Sequence, residues 1–208
     1  MAVSAKDLEL VRADITVGLS AMHDKDNPIM IGMAAYHFSQ AIEKSVKAVI
    51  REKATEPVSQ DTMYAHNMEH LLLQAERFSA GFIQKHPFIA DNAFTLSAFN
   101  GMRYGNKTIS KPDVYILMKN AKNLLYELEN AYMQEHHVGK EEIHQHAKIQ
   151  MKEAGKIYLN DKNSNWKKSF PHKENPDKTE GFYFNVSRML KEYERKYNAE
   201  AYYCLSSG

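Results

Sequence analysis

The sequence predicts a mainly α protein: a helical bundle over residues 1–134, followed by a small C-terminal α or α+β appendage over 135–208. Three observations predict it. Apolar residues recur every three or four positions in five separate stretches before residue 135, the spacing of one helix face. The breaks between those stretches fall at Pro, Gly and Asn/Asp clusters, which punctuate helices. Hydrophobic residues make up 43% of 208, enough to build a core without disulfide or metal staples.

The first helix is expected to start near Ser4. Ser4 with Asp7 forms a capping-box variant, and Leu8, Val11, Ile15, Leu19 and Met22 form the buried face. The turn over 23–28 ends at Pro28. A second helix over 28–52 carries an apolar stripe of Ala34, Phe38, Ala41, Ile42, Ser45, Val46 and Val49. Its other stripe, His37, Gln40, Lys44, Lys47 and Arg51, is polar and basic. A polar loop over 53–61 leads to a third helix over 62–78, with Met63, Leu71, Leu72 and Ala75 apolar. Gly81 and Pro87 punctuate the link to a fourth helix over 87–100. After a loop at 101–107, Ser110-Lys-Pro-Asp113 predicts an N-terminal cap with proline inside the first turn. The fifth helix runs to Gln134 and buries Val114, Leu117, Ala121, Leu124, Leu125, Leu128 and Tyr132.

Beyond Gly139 the pattern predicts a more polar helix over 141–159 and a long loop over 160–180 holding Trp166. The aromatic run over 181–186 predicts a strand, 187–198 a helix, and 201–205 a last strand. Phe182, Tyr183, Phe184, Tyr202 and Tyr203 are expected to pack against the bundle. Base stacking or pairing with a partner's edge strand are the alternatives.

Charge narrows the function classes. With 27 basic and 26 acidic residues the net charge is +1, which argues against a broadly basic nucleic-acid binder. A phosphate or RNA site must come from local clustering. One cysteine, Cys204, excludes an intrachain disulfide framework and fits a reducing compartment. No apolar run reaches the ~20 residues that span a bilayer, and the opening residues lack a signal-peptide core. The expectation is a cytoplasmic protein with no membrane association.

The stretch Ala34-Ala-Tyr-His-Phe-Ser-Gln-Ala-Ile-Glu-Lys-Ser-Val-Lys-Ala-Val-Ile50 resembles the signature helix of HEPN domains, the nucleotide-binding domains of higher eukaryotes and prokaryotes. The matching positions are Gln40, Glu43, Lys44, Lys47 and Ala48. His66 followed by Leu71 and Leu72 matches the start of the family's third helix, and Arg103-Tyr104 matches a pair before its last helix. The resemblance spans residues 4–134. It implies an antiparallel up-and-down bundle of four or five helices, a homodimer, and a toxin–antitoxin or defence setting with a nucleotidyltransferase antitoxin as partner. It also implies nucleotide or RNA as ligand, with no cofactor. Catalytic members are metal-independent ribonucleases carrying an Arg and a His separated by four to six residues. None of Arg12, Arg51, Arg77, Arg103, Arg188 and Arg195 has a His at that spacing; His86 follows Arg77 after eight. Standard ribonuclease activity is therefore not expected.

Gln40, Lys44, Lys47, Arg103 and Tyr104 are the candidate phosphate-binding residues. The alternative is that the stripe is solvated or paired internally, as Glu43 and Lys47 are spaced to do. An atypical ribonuclease would need a base and a cation at one phosphate, for which His37, His66 and Arg103 are the candidates. A purely structural helical interaction protein is the third reading. His66-Asn-Met-Glu-His70 matches H-x-x-E-H formally, and 136–146 holds four His with Glu141 and Glu142. The first lacks a matching downstream carboxylate motif, and in the second His144 and His146 fall on different sides of a helix, so neither is assigned a metal.

Overall fold

The computed structural model describes residues 3–22, 27–98 and 109–160, with side chains to residue 150. Every regular element among them is helical: α1 (Ala5–Ala21), α2 (Pro28–Lys53), α3 (Gln60–Tyr64), α4 (Met68–Phe78), α5 (Phe82–Lys85), α6 (Pro87–Asp91), α7 (Ala93–Ala98), α8 (Lys111–His136) and α9 (Lys140–Asn160). The chain divides into two units at 143/144. The expected tail loop, strands and helix beyond 160, with Trp166 and Cys204, lie outside the described residues, as do Arg103 and Tyr104.

The helix starts follow their caps. Ser4 Oγ accepts from the Asp7 amide while the Asp7 carboxylate accepts from the Ser4 amide, closing the capping box. Asn27 accepts from the Ile29 amide ahead of Pro28, and Ser110 accepts from the Asp113 amide ahead of Pro112.

The unit over 1–143 is organised around α2, which packs on α1, α4 and α8; α1 also packs on α8. Phe38, Ile42, Val46 and Ile50 of α2, Leu8, Val11 and Ile15 of α1 and Leu124, Leu125 and Leu128 of α8 are all buried, with little or no exposure. Each such aliphatic side chain contributes about 1.5–3 kcal/mol on burial. Contacts also fix direction. Asp7 meets Arg51, Asp14 meets Lys44, and Gly18 lies against Phe38, so α1 and α2 are antiparallel. A Cβ on Gly18 would sit 2.7 Å from Phe38 Cε1, so only glycine allows this approach. Arg12 meets Glu129 and Val3 meets His136, so α1 and α8 are antiparallel too.

Two expected helices are broken. The third, expected over 62–78, is split into α3 and α4. Ala65 is extended (φ −59°, ψ 139°), and Asn67 caps α4 by accepting from the His70 amide. An asparagine cap competes with helix continuation because its side chain replaces an i−4 carbonyl. The fourth, expected over 87–100, is interrupted at Asn92, whose side-chain amide donates to the Phe88 carbonyl. There is a third difference. α4 begins beside Glu43, where His66 binds, and ends near Glu56, where Arg77 binds, so it follows α2 in sense. The segment 54–67 has already carried the chain back, and strict up-and-down alternation does not extend to α4.

Candidate functional site

The polar stripe of α2 is split between two neighbours. His37, Lys44 and Arg51 recur every seven residues, and so do Asp7 and Asp14 on α1. In an antiparallel pair these spacings interlock. Asp14 is the hub: its Oδ1 lies 2.9 Å from His37 Nδ1, and its Oδ2 accepts from Lys44 Nζ. Asp7 accepts from Arg51. The side chains of Asp7 and Asp14 are only 10% and 11% exposed, so these are inter-helix ties rather than solvated surface pairs.

The other side of the stripe faces the break between α3 and α4. Glu43, buried, accepts from Lys47 Nζ at 2.8 Å, one helical turn away. The same carboxylate meets His66 Nδ1 at 3.0 Å and 3.3 Å. Lys47 is buried alongside, whereas His66 is 64% exposed. His66 thus presents a ring whose Nδ1 is oriented by a buried acid, leaving Nε2 as the nitrogen available for proton exchange. Gln40, half-buried, is one turn before Lys44 on the same helix.

The structure therefore brings His37 together with Lys44, and His66 together with Lys47, each pair through a shared carboxylate. Both candidate lysines are neutralised by acids of the same chain. His70 Nε2 lies 3.3 Å from Thr62 Oγ1, not beside a second ligand. Among the described residues no group of three or more His, Cys, Asp or Glu is arranged to hold a metal ion.

Several organising residues are not singled out by helix-face spacing alone. Asp14 and Glu129 are scattered acids within apolar-periodic helices. The heptad match of Asp7/Asp14 to Lys44/Arg51 is the signal that identifies the α1–α2 partners. Arg12 Nε and Nη2 both donate to Glu129 Oε1, at 3.0 Å and 2.7 Å, with both side chains 1% exposed. Nothing local in the sequence pairs residues 117 positions apart. His86 was visible only as a histidine at the wrong distance from Arg77. It is buried at the α5–α6 junction, 3.4 Å from Glu127 Oε2.

Two carboxylates are shifted. The amides of Ile83 and Gly81 donate to Glu76 at 2.8 Å and hold its pKa below the ordinary 4.5, so it caps the α5 turn as an anion. Burial raises the Glu127 pKa, but His86 and Lys85 beside it outweigh burial and leave it lowered.

No helix among the described residues is long and apolar enough to cross a membrane. No protein-family model, curated protein or solved structure matches the chain.

Proposed function

We propose that the chain is a HEPN-like helical interaction module that lacks the standard HEPN ribonuclease activity. One observation supports this reading best. Leu73 of α4 and Phe94 of α7 are 65% and 76% exposed and line a groove of about 310 Å³ together with Leu72, Ile83 and Ala93. Single exposed apolar residues are ordinary at a protein surface; a large aromatic and a leucine bordering one apolar groove favour a contact surface. We assign the groove to a second copy of the chain, the homodimer that the HEPN resemblance implies. The resemblance also suggests a toxin–antitoxin or defence setting with a nucleotidyltransferase partner, and the absence of a signal core and of a spanning apolar run in the sequence supports a cytoplasmic location.

The test is the mass in solution. Wild type should be dimeric by light scattering, and Leu73→Asp with Phe94→Asp should be monomeric with unchanged helical content. A monomeric wild type would remove the dimer, and a dimeric variant would move its interface off this groove.

Phosphate or RNA binding at Gln40, Lys44, Lys47, Arg103 and Tyr104 is less favoured, because Lys44 and Lys47 would have to leave Asp14 and Glu43. His66 favours the second reading, an atypical ribonuclease: an exposed imidazole oriented by a buried carboxylate is the arrangement of a general base. RNA cleavage by wild type that disappears in His66→Ala would establish it; cleavage surviving His66→Ala, Arg103→Ala and His37→Ala would point to a contaminant.

A further inference from the structure

The α4–α7 groove carries charge as well as apolar surface. Glu69 and Asp91 line it together with Leu72, Leu73, Ile83 and Phe94, and no lysine or arginine does. Both acids are exposed, and among the described residues neither meets a cation. Unlike the acids of the α2 stripe, these two keep their charge unpaired.

That charge decides how a second copy can sit there. Two grooves laid face to face would bring Glu69 and Asp91 of both copies together, and like charges at an interface that loses its water are strongly disfavoured. An occupant that fits brings apolar side chains for Leu73 and Phe94 and a cation for the acids.

The chain carries such a surface on α8. Pro112, Tyr115, Ile116 and Lys119 stand at steps of three and four, on one face of the helix. All four are exposed, Tyr115 at 52% and Ile116 at 44%. Lys119 meets no acid among the described residues. The nearest acid of the helix, Asp113, is engaged by Ser110 at the N-cap. Leu10, Ile29 and Tyr64, also exposed in this unit, lack the combination. Leu10 follows Glu9, which already holds Lys6; Tyr64 is one turn from an acid, Asp61; and Ile29 has no lysine or arginine in the next two turns.

We propose that the groove of one copy receives the Pro112–Lys119 face of α8 from a second copy. Tyr115 and Ile116 cover Leu73 and Phe94, and Lys119 Nζ donates to the carboxylates of Glu69 and Asp91. This rests on the dimer reading above and names the element that the second copy contributes. Around a two-fold axis each copy gives its α8 face and receives the other's, so the contact is made twice. The apolar side chains supply most of the affinity, and the charge pair sets orientation and excludes the groove-on-groove arrangement.

Sedimentation equilibrium of the full chain tests it. Wild type should dimerise, less tightly as salt is added. Lys119→Glu sets a third acid against the groove and should raise the dimer Kd about tenfold or more, because two equivalent contacts are hit. Lys119→Gln, which removes the charge alone, should raise it less. Glu69→Lys with Asp91→Lys should also weaken the dimer, and all three charge reversals in one chain should restore a Kd within about threefold of wild type. All three positions are exposed, so circular dichroism should show unchanged helix content. A monomeric wild type removes the dimer and this contact with it. A wild-type dimer that is indifferent to Lys119→Glu, or weakened by it and not restored by the triple variant, keeps the dimer and overturns the α8 contact.

Discussion

The α1–α2 seam and the group around His86 beside the end of α2 are built from the same residue types, histidine, lysine and carboxylate, and they are satisfied differently. Along the seam every cation of the stripe that α1 or the α3–α4 break faces has an acid of its own chain: Arg51 has Asp7, Lys44 has Asp14, Lys47 has Glu43. The two histidines there also meet carboxylates. Beside the end of α2, His86 is buried with its Nε2 3.4 Å from Glu127 Oε2, a carboxylate it shares with Lys85, and short of hydrogen-bond geometry. A charge row with well-formed internal pairs fixes register; a buried imidazole short of hydrogen-bond geometry to its acid retains part of its desolvation cost.

The deepest version of the paired arrangement lies behind the seam and should give the largest effect. Arg12→Ala strands the Glu129 charge in the core and should cost about 3–5 kcal/mol, read as a lower urea midpoint. A smaller loss would mean that water reaches the pair. Next is Asp14→Ala, which leaves His37 and Lys44 without their shared acceptor and should cost about 1–3 kcal/mol. Lys44→Ala should cost less, because Lys44 is 35% exposed, and a double-mutant cycle should return a coupling for the pair. Zero coupling would reduce the seam to a surface contact.

Acid titrates one carboxylate on α4 and one on α8. Glu76 and Glu127 both have folded pKa values below the ordinary 4.5. Their contribution to stability is present above that value and is lost as the pH falls through the folded values. The urea midpoint should therefore be level in this respect above pH 4.5 and decline below it, and Glu127→Gln should flatten part of the decline. The smallest effect is a gain. His137 ends α8 in the left-handed region (φ 55°), so His137→Gly should stabilise by about 0.5–1 kcal/mol.

The long helices were legible because their apolar spacing and their caps agree: Ser4, Pro28 and Ser110 open α1, α2 and α8 where side-chain chemistry requires. The breaks at Ala65 and Asn92 were not, since apolar periodicity continues through them and the interruption rests on a local asparagine bond and on packing. The α2 stripe was visible as a stripe, and Glu43–Lys47 as an i,i+4 pair. Its partners on α1 needed the register of two antiparallel helices. His86 was hidden for a different reason: what distinguishes it is burial without a bond, which no spacing encodes.

Whether the α2 stripe is a structural seam or a phosphate site is decided by titrating ATP and a short RNA into wild type and into Lys44→Ala/Lys47→Ala, with unfolding followed in parallel. The expected result is no saturable binding to either protein and a lower unfolding midpoint for the variant. Saturable binding by wild type that disappears in a variant of unchanged stability would contradict the seam and restore the phosphate site.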